Sequence, residues 1–79
     1  MSQPIKQSTV KAMLTVARRG KTPLEMEPEA LAAFTALVNI LAQETLSRAA
    51  QTAANTGDTV ITKEHLKRVI TQIMLDFAI

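Results

Sequence analysis

The chain has no cysteine, no tryptophan and no tyrosine, a single histidine, and only two glycines and three prolines in 79 residues. Without cysteine, neither a disulfide nor a thiolate metal site can form, and one histidine excludes the usual structural zinc sites. Without tryptophan or tyrosine there is no platform for stacking single-stranded bases. A domain this small draws about 3–5 kcal/mol from its own core and normally leans on disulfides, metals or a partner chain. With the first two gone, the partner remains. Long apolar runs are also missing, because Thr35, Asn39, Gln43 and Glu44 interrupt the best candidate for the ~18 residues that span a bilayer. The opening MSQPIKQST lacks the apolar core of a secretory signal. A soluble intracellular protein is expected, and the lack of cysteine agrees with a reducing compartment.

Acid is locally absent as well. Residues 1–24 carry Lys6, Lys11, Arg18, Arg19 and Lys21 with no aspartate or glutamate, although the whole chain has a net charge of only +2. The remainder sets seven acids against Arg48, Lys63, Lys67 and Arg68. One basic end on a mildly acidic body points to a polyanionic partner.

What is present is helical pattern. Val10, Met13, Leu14 and Ala17 recur at i, i+3, i+4 and i+7. They predict a first helix from about Ser8 or Thr9, either of which can cap it, to Arg19. Gly20 is then expected in the left-handed position, and Lys11, Thr15 and Arg18 share a neighbouring basic face. From Pro28 to Gly57 the chain has no internal glycine or proline. A second helix is predicted there, with Pro28 at its first position, Glu29 near its positive end and a stop at Asn55 to Gly57. At ~1.5 Å per residue it would reach roughly 40 Å, against a radius of gyration near ~12 Å for a globule of this length. Leu31, Phe34, Leu37, Val38, Leu41, Thr45, Leu46, Ala49 and Ala53 cover about half its circumference, with Ile40 pointing away. Asn39, Gln43, Ser47 and Gln51 line the polar side. So broad an apolar arc buries two surfaces. Thr62 predicts the cap of a third helix, with Glu64 in its first turn. Leu66, Val69, Ile70, Ile73 and Phe77 form its apolar stripe, and Leu75 lies nearly opposite.

No active site emerges. The serines and threonines lack an activating base, and His65 stands alone as a structural or solvent-facing residue. Glu25, Glu27 and Glu29 are explained by the start of the second helix. Arg48 is expected to pair with Glu44 one turn earlier. The chain is expected to be no enzyme and to need no cofactor or metal.

Short helix, loop, long helix, loop, short helix, with an extended segment at 24–26 and another at 59–61, resembles the histone fold. Within it, LKRVITQIMLDF at residues 66–77, Glu44-x-x-x-Arg48, Ala30-Leu31 and, in loop one, Lys21-Thr22 are similar to the centromere protein X (CENP-X) family over residues 9–77. Ala78-Ile79 beyond the usual end and the alanine-rich stretch from Ala49 to Ala54 depart from its pattern, and leave further partners open.

The resemblance implies an all-α histone fold of short-long-short helices, clasped head to tail with a centromere protein S-like chain as a handshake heterodimer. A flexible N-terminus over 1–7 would precede the fold over 8–79. Leu31, Phe34, Val38, Leu41, Leu46, Val60, Ile70, Ile73, Leu75 and Phe77 would meet the partner. Ile40, Leu75 and the end from Phe77 to Ile79 would serve further contacts in a heterotetramer. Lys11, Arg18, Arg19 and Lys21 beside loop one, with Lys63, Lys67 and Arg68 from loop two, would touch phosphates of duplex or branched DNA without choosing sequence. The implied settings are the nucleus and the centromere or kinetochore, with the centromere protein T–W pair, and Fanconi anaemia repair with a FANCM-type DNA translocase. The alternatives are a histone-fold subunit of a transcription-factor complex, a protein-interaction module without DNA, and a self-sufficient homodimer like the archaeal histones.

Overall fold

A computed structural model describes residues 4–78. Its elements are α1 (Gln7–Ala17), α2 (Pro28–Asn55) and α3 (Lys63–Phe77). The 28 residues of α2 make it about 42 Å long. The chain forms two compact units, Met1–Ile40 and Leu41–Ile79, so each unit combines one short helix with half of the long one.

In the first unit the buried residues are Val10 on α1 and Leu31, Thr35 and Asn39 on α2. The last three recur every four residues and mark the inward stripe of this half-helix. Asn39 therefore leaves the polar side assigned to it by the helical wheel. Its Oδ1 accepts from the Ile5 N–H at 2.9 Å, and its Nδ2 donates to the carbonyls of Ile5 and Thr35, both at 2.9 Å. Thr35 is wholly buried, and its hydroxyl has no partner among the described residues.

Ile5 is thereby bonded to α2, and α1 begins at Gln7. One expectation is corrected here: neither Ser8 nor Thr9 caps α1. Lys6 is the cap residue, in extended backbone and without a side-chain bond, and its carbonyl receives the N–H groups of Thr9 and Val10 at 3.1 and 3.2 Å. The far end also closes early. Arg18 caps the helix, and Arg19 takes the left-handed conformation (φ 51°) ahead of Gly20 (φ 79°). The Lys21 N–H donates to the Arg18 carbonyl, and Arg18 Nε donates to the Thr22 carbonyl, both at 3.0 Å, which curls the chain back at this point.

In the second unit Ala49, Ala53, His65 and Val69 are buried. The α2 terminus follows the sequence closely. Asp58 N–H donates to the Ala53 carbonyl and Gly57 N–H to that of Ala54, with Gly57 left-handed (φ 75°). This pair of bonds satisfies carbonyls that the helix end would otherwise orphan. Thr62 caps α3 as expected, accepting from the His65 N–H. The reciprocal bond comes from histidine rather than glutamate: His65 Nδ1 accepts the Thr62 N–H at 2.9 Å.

Among the described residues no strand forms, and segments 24–26 and 59–61 are irregular. A bridge between them and a second chain needs that chain's backbone. By length and composition α2 would suffice to cross a bilayer, so the interruptions counted against a span do not exclude one. The core helix of a water-soluble fold meets the same criterion.

Candidate functional site

Many large apolar side chains stand open on the chain. In the first unit Phe34 (42% exposed), Leu37 and Ile40 stand open on α2, and Met13 and Val16 on α1. Val10, Met13, Leu14, Ala17, Met26 and Phe34 line an open apolar hollow of about 320 Å³. In the second unit Leu46, Val60, Ile70, Met74, Leu75 and Phe77 (68% exposed) are open. The single stripe expected on α3 divides in two. Val69 is buried with Leu66 and Ile73 partly covered, whereas Ile70, Met74 and Phe77, spaced i, i+4, i+7, face outward. Met74 belongs to this second stripe and was legible from that spacing. Open apolar area on this scale marks a surface that associates.

Of the residues expected at a partner interface, Phe34, Leu46, Val60, Ile70, Leu75 and Phe77 are exposed, and Val38, Leu41 and Ile73 are half-buried. Leu31 is different: at 4% exposed it is covered within its own chain and has no open surface to offer. Leu31, Phe34 and Val38 belong to the first unit and the others to the second. Ile79 lies outside the described residues.

The basic candidates divide the same way, with Lys11, Arg18, Arg19 and Lys21 in the first unit and Lys63 and Lys67 in the second. All are exposed except the half-buried Arg18. None of them takes part in an ion pair among the described residues. Arg18 and Lys21 edge a hollow of about 310 Å³ floored by Leu14 and Leu24. Lys11 and Glu25 edge its neighbour, which shares both leucines. The loop after α1 thus carries free cations on a shaped, partly apolar surface.

Arg48 forms the expected pair, Nε to Glu44 Oε1 at 2.7 Å. It also reaches Asp76 Oδ2 at 3.0 Å through Nη1, tying α2 to the last turn of α3. Glu44 first, then Asp76, raises the Arg48 guanidinium above its ordinary pKa by hydrogen bonding to its charged form. The second link escaped the sequence because the partners lie 28 positions apart. His65 meets an acid other than its neighbour Glu64, with Nε2 at 3.3 Å from Asp58 Oδ2. Nδ1 accepts the Thr62 N–H, so the ring proton lies on Nε2, facing Asp58. Thr56 donates to the same aspartate oxygen at 2.8 Å. Among the described residues no cluster of three or more His, Asp or Glu is placed to hold a metal ion.

No curated protein and no solved structure matches the chain. The family model for CENP-S associating Centromere protein X matches residues 7–77. That span contains α1, α2 and α3 from first residue to last, together with the Glu44–Arg48–Asp76 link. With its all-helical short-long-short order, the chain belongs to the centromere protein X family of centromere histone-fold proteins.

Proposed function

We propose that the chain is a non-catalytic subunit that clasps a centromere protein S-like histone-fold chain and, with it, binds duplex or branched DNA through backbone phosphates. The observation that carries this is the second apolar face on the long helix and on α3, which the chain's own helices leave open. A histone-fold partner supplies the helices that would cover Phe34, Leu46 and Ile70. The family's name associates its members with CENP-S, which supports that choice of partner. The unpaired bases around loop one fit phosphate contacts, which carry affinity but not sequence choice.

Kinetochore assembly with a centromere protein T–W pair, and repair with a FANCM-type translocase, are the settings in which such a complex would act in the nucleus. In both it contributes binding and geometry, and any catalysis belongs to another chain.

The test has two stages. Light scattering of the chain alone and co-expressed with a centromere protein S-like chain should show a defined 1:1 or 2:2 complex only in the second case. A folded monomer indifferent to that partner would refute the pairing. DNA titration of the complex across a salt series should then give a log–log slope near roughly −4, for four to five phosphate contacts. Changing Arg18, Arg19 and Lys21 together to Ala should reduce the slope by about 3 and leave the complex intact. An unchanged slope would remove these residues from the DNA surface.

A further inference from the structure

One threonine is set apart from the others. Thr15, Thr45, Thr52 and Thr71 return their hydroxyls to carbonyls one turn back, Thr56 donates to Asp58, and Thr9 lies within α1. Thr62 caps α3 and Thr35 is buried. Thr22 lies outside the helices and is exposed, and among the described residues its hydroxyl makes no hydrogen bond. Pro23 follows it and holds it in the extended region, the shape in which a peptide acceptor enters a kinase groove. The other prolines follow Gln3 and Glu27, so no other hydroxyl in the chain precedes a proline. Thr59 is exposed too, but it sits between Asp58 and Val60. On the N-terminal side of Thr22 stand Arg18, Arg19 and Lys21. The Arg18 guanidinium is already against the residue, its Nε donating to the Thr22 carbonyl at 3.0 Å.

We propose that Thr22 is a phosphorylation site for a serine/threonine kinase that reads proline after the acceptor, and that its modification weakens the grip of the basic loop on DNA. The second clause rests on the DNA reading above. In the transfer, the γ-phosphorus of a nucleoside triphosphate forms a bond to Thr22 Oγ1 as its bond to the β–γ bridging oxygen breaks. The hydroxyl proton passes to the kinase's base, and the nucleoside diphosphate leaves. The phosphothreonine carries about −1.5 to −2 charges, beside Lys21 and within reach of Arg18. Charge-assisted hydrogen bonds to these two bases withdraw them from DNA phosphates. Loss of two contacts flattens the log–log salt slope by about 2 and lowers affinity about ten-fold or more at moderate salt.

The full chain in complex with a centromere protein S-like partner is treated with a purified proline-directed kinase and ATP. Mass spectrometry locates the phosphate, and duplex DNA affinity is measured before and after at fixed salt. Thr22 should be modified, Thr22→Ala should not accept phosphate there, and Pro23→Ala should accept much less. Treated wild-type complex should lose about ten-fold in affinity, and treated Thr22→Ala complex none. Both substitutions lie on an exposed loop, and circular dichroism checks that the helices persist. Failure to modify Thr22 in the folded complex overturns the proposal, as does equal modification of Pro23→Ala. DNA binding that is unchanged by complete modification overturns this proposal alone. An untreated complex that ignores DNA overturns the DNA reading and this proposal together.

Discussion

Arg19 occupies backbone space that glycine enters without steric cost. A left-handed residue with a Cβ is disfavoured by about 1–2 kcal/mol, and Arg19, at φ 51°, is the one non-glycine residue there among those described. Arg19→Gly should raise stability in urea denaturation by up to about 1 kcal/mol, once glycine's own entropy cost is deducted. If Arg19 touches phosphate, the same variant should bind DNA more weakly. A rise in stability with unchanged DNA affinity would separate the two roles and leave only the strain. Asn39 behaves in the opposite sense. Its carboxamide joins Ile5 and Thr35 in a covered place, and Asn39→Ala should cost about 1–3 kcal/mol in the same measurement. An effect under about 0.5 kcal/mol, the size of a surface substitution, would mean that water replaces the lost bonds. Periodicity placed this residue on the polar side because a wheel ranks side chains by type. It cannot register that a segment 34 positions away brings its own backbone to be satisfied.

Element boundaries were legible where the signal is local and illegible where it is tertiary. Pro28, Asn55 to Gly57 and Thr62 announce their helix ends through backbone chemistry that neighbours in sequence complete. Ser8 and Thr9 resemble caps equally well, yet α1 starts before both, since the contact to Asn39 fixes the chain at Ile5. Glu44 and Arg48 were readable as a one-turn pair, whereas Asp76 was not readable as their third member. For the end of α3 that third member matters most. Asp76→Asn should leave the helix in place but speed amide exchange over its final turn, from about Leu75 onward, in hydrogen-exchange mass spectrometry. Equal exchange would show that the pair contributes no order there. At the other end, His65→Gln preserves a side chain able to accept the Thr62 N–H, and His65→Ala does not. The alanine variant should lose about 1 kcal/mol relative to the glutamine variant. Equal stabilities would assign His65's contribution to burial rather than capping.

For the molecule as a whole, the fold class was readable from the order and lengths of three patterns. The open faces were readable in outline, because an apolar arc wider than one interface needs two. Which residues fall to which face was not, since Leu31 and Phe34, three positions apart, end on opposite sides of that choice: one is covered by its own chain and one is exposed. The roles of the basic residues remain a matter of charge and resemblance, because sequence pattern can show where cations gather but not what they touch. Phe34→Asp tests the open face directly. A large apolar side chain contributes about 2–3 kcal/mol when a partner covers it. The variant should therefore pair with a centromere protein S-like chain about 100-fold more weakly, read as dissociation of the complex in light scattering. Leu31→Asp should instead unfold its own unit. If Phe34→Asp pairs normally, that face belongs to something else.

The bond between Ile5 and Asn39 also sets where the protein can be cut. The family match begins at Gln7, and α1 begins there too, so a chain shortened to start at Gln7 would look complete by either measure. It would nevertheless strip a buried carboxamide of two of its three partners, the backbone N–H and C=O of Ile5, leaving only the Thr35 carbonyl, and the loss would resemble an interior substitution more than the trimming of a loose end. Tags and fusions that crowd residue 5 would press on the same place.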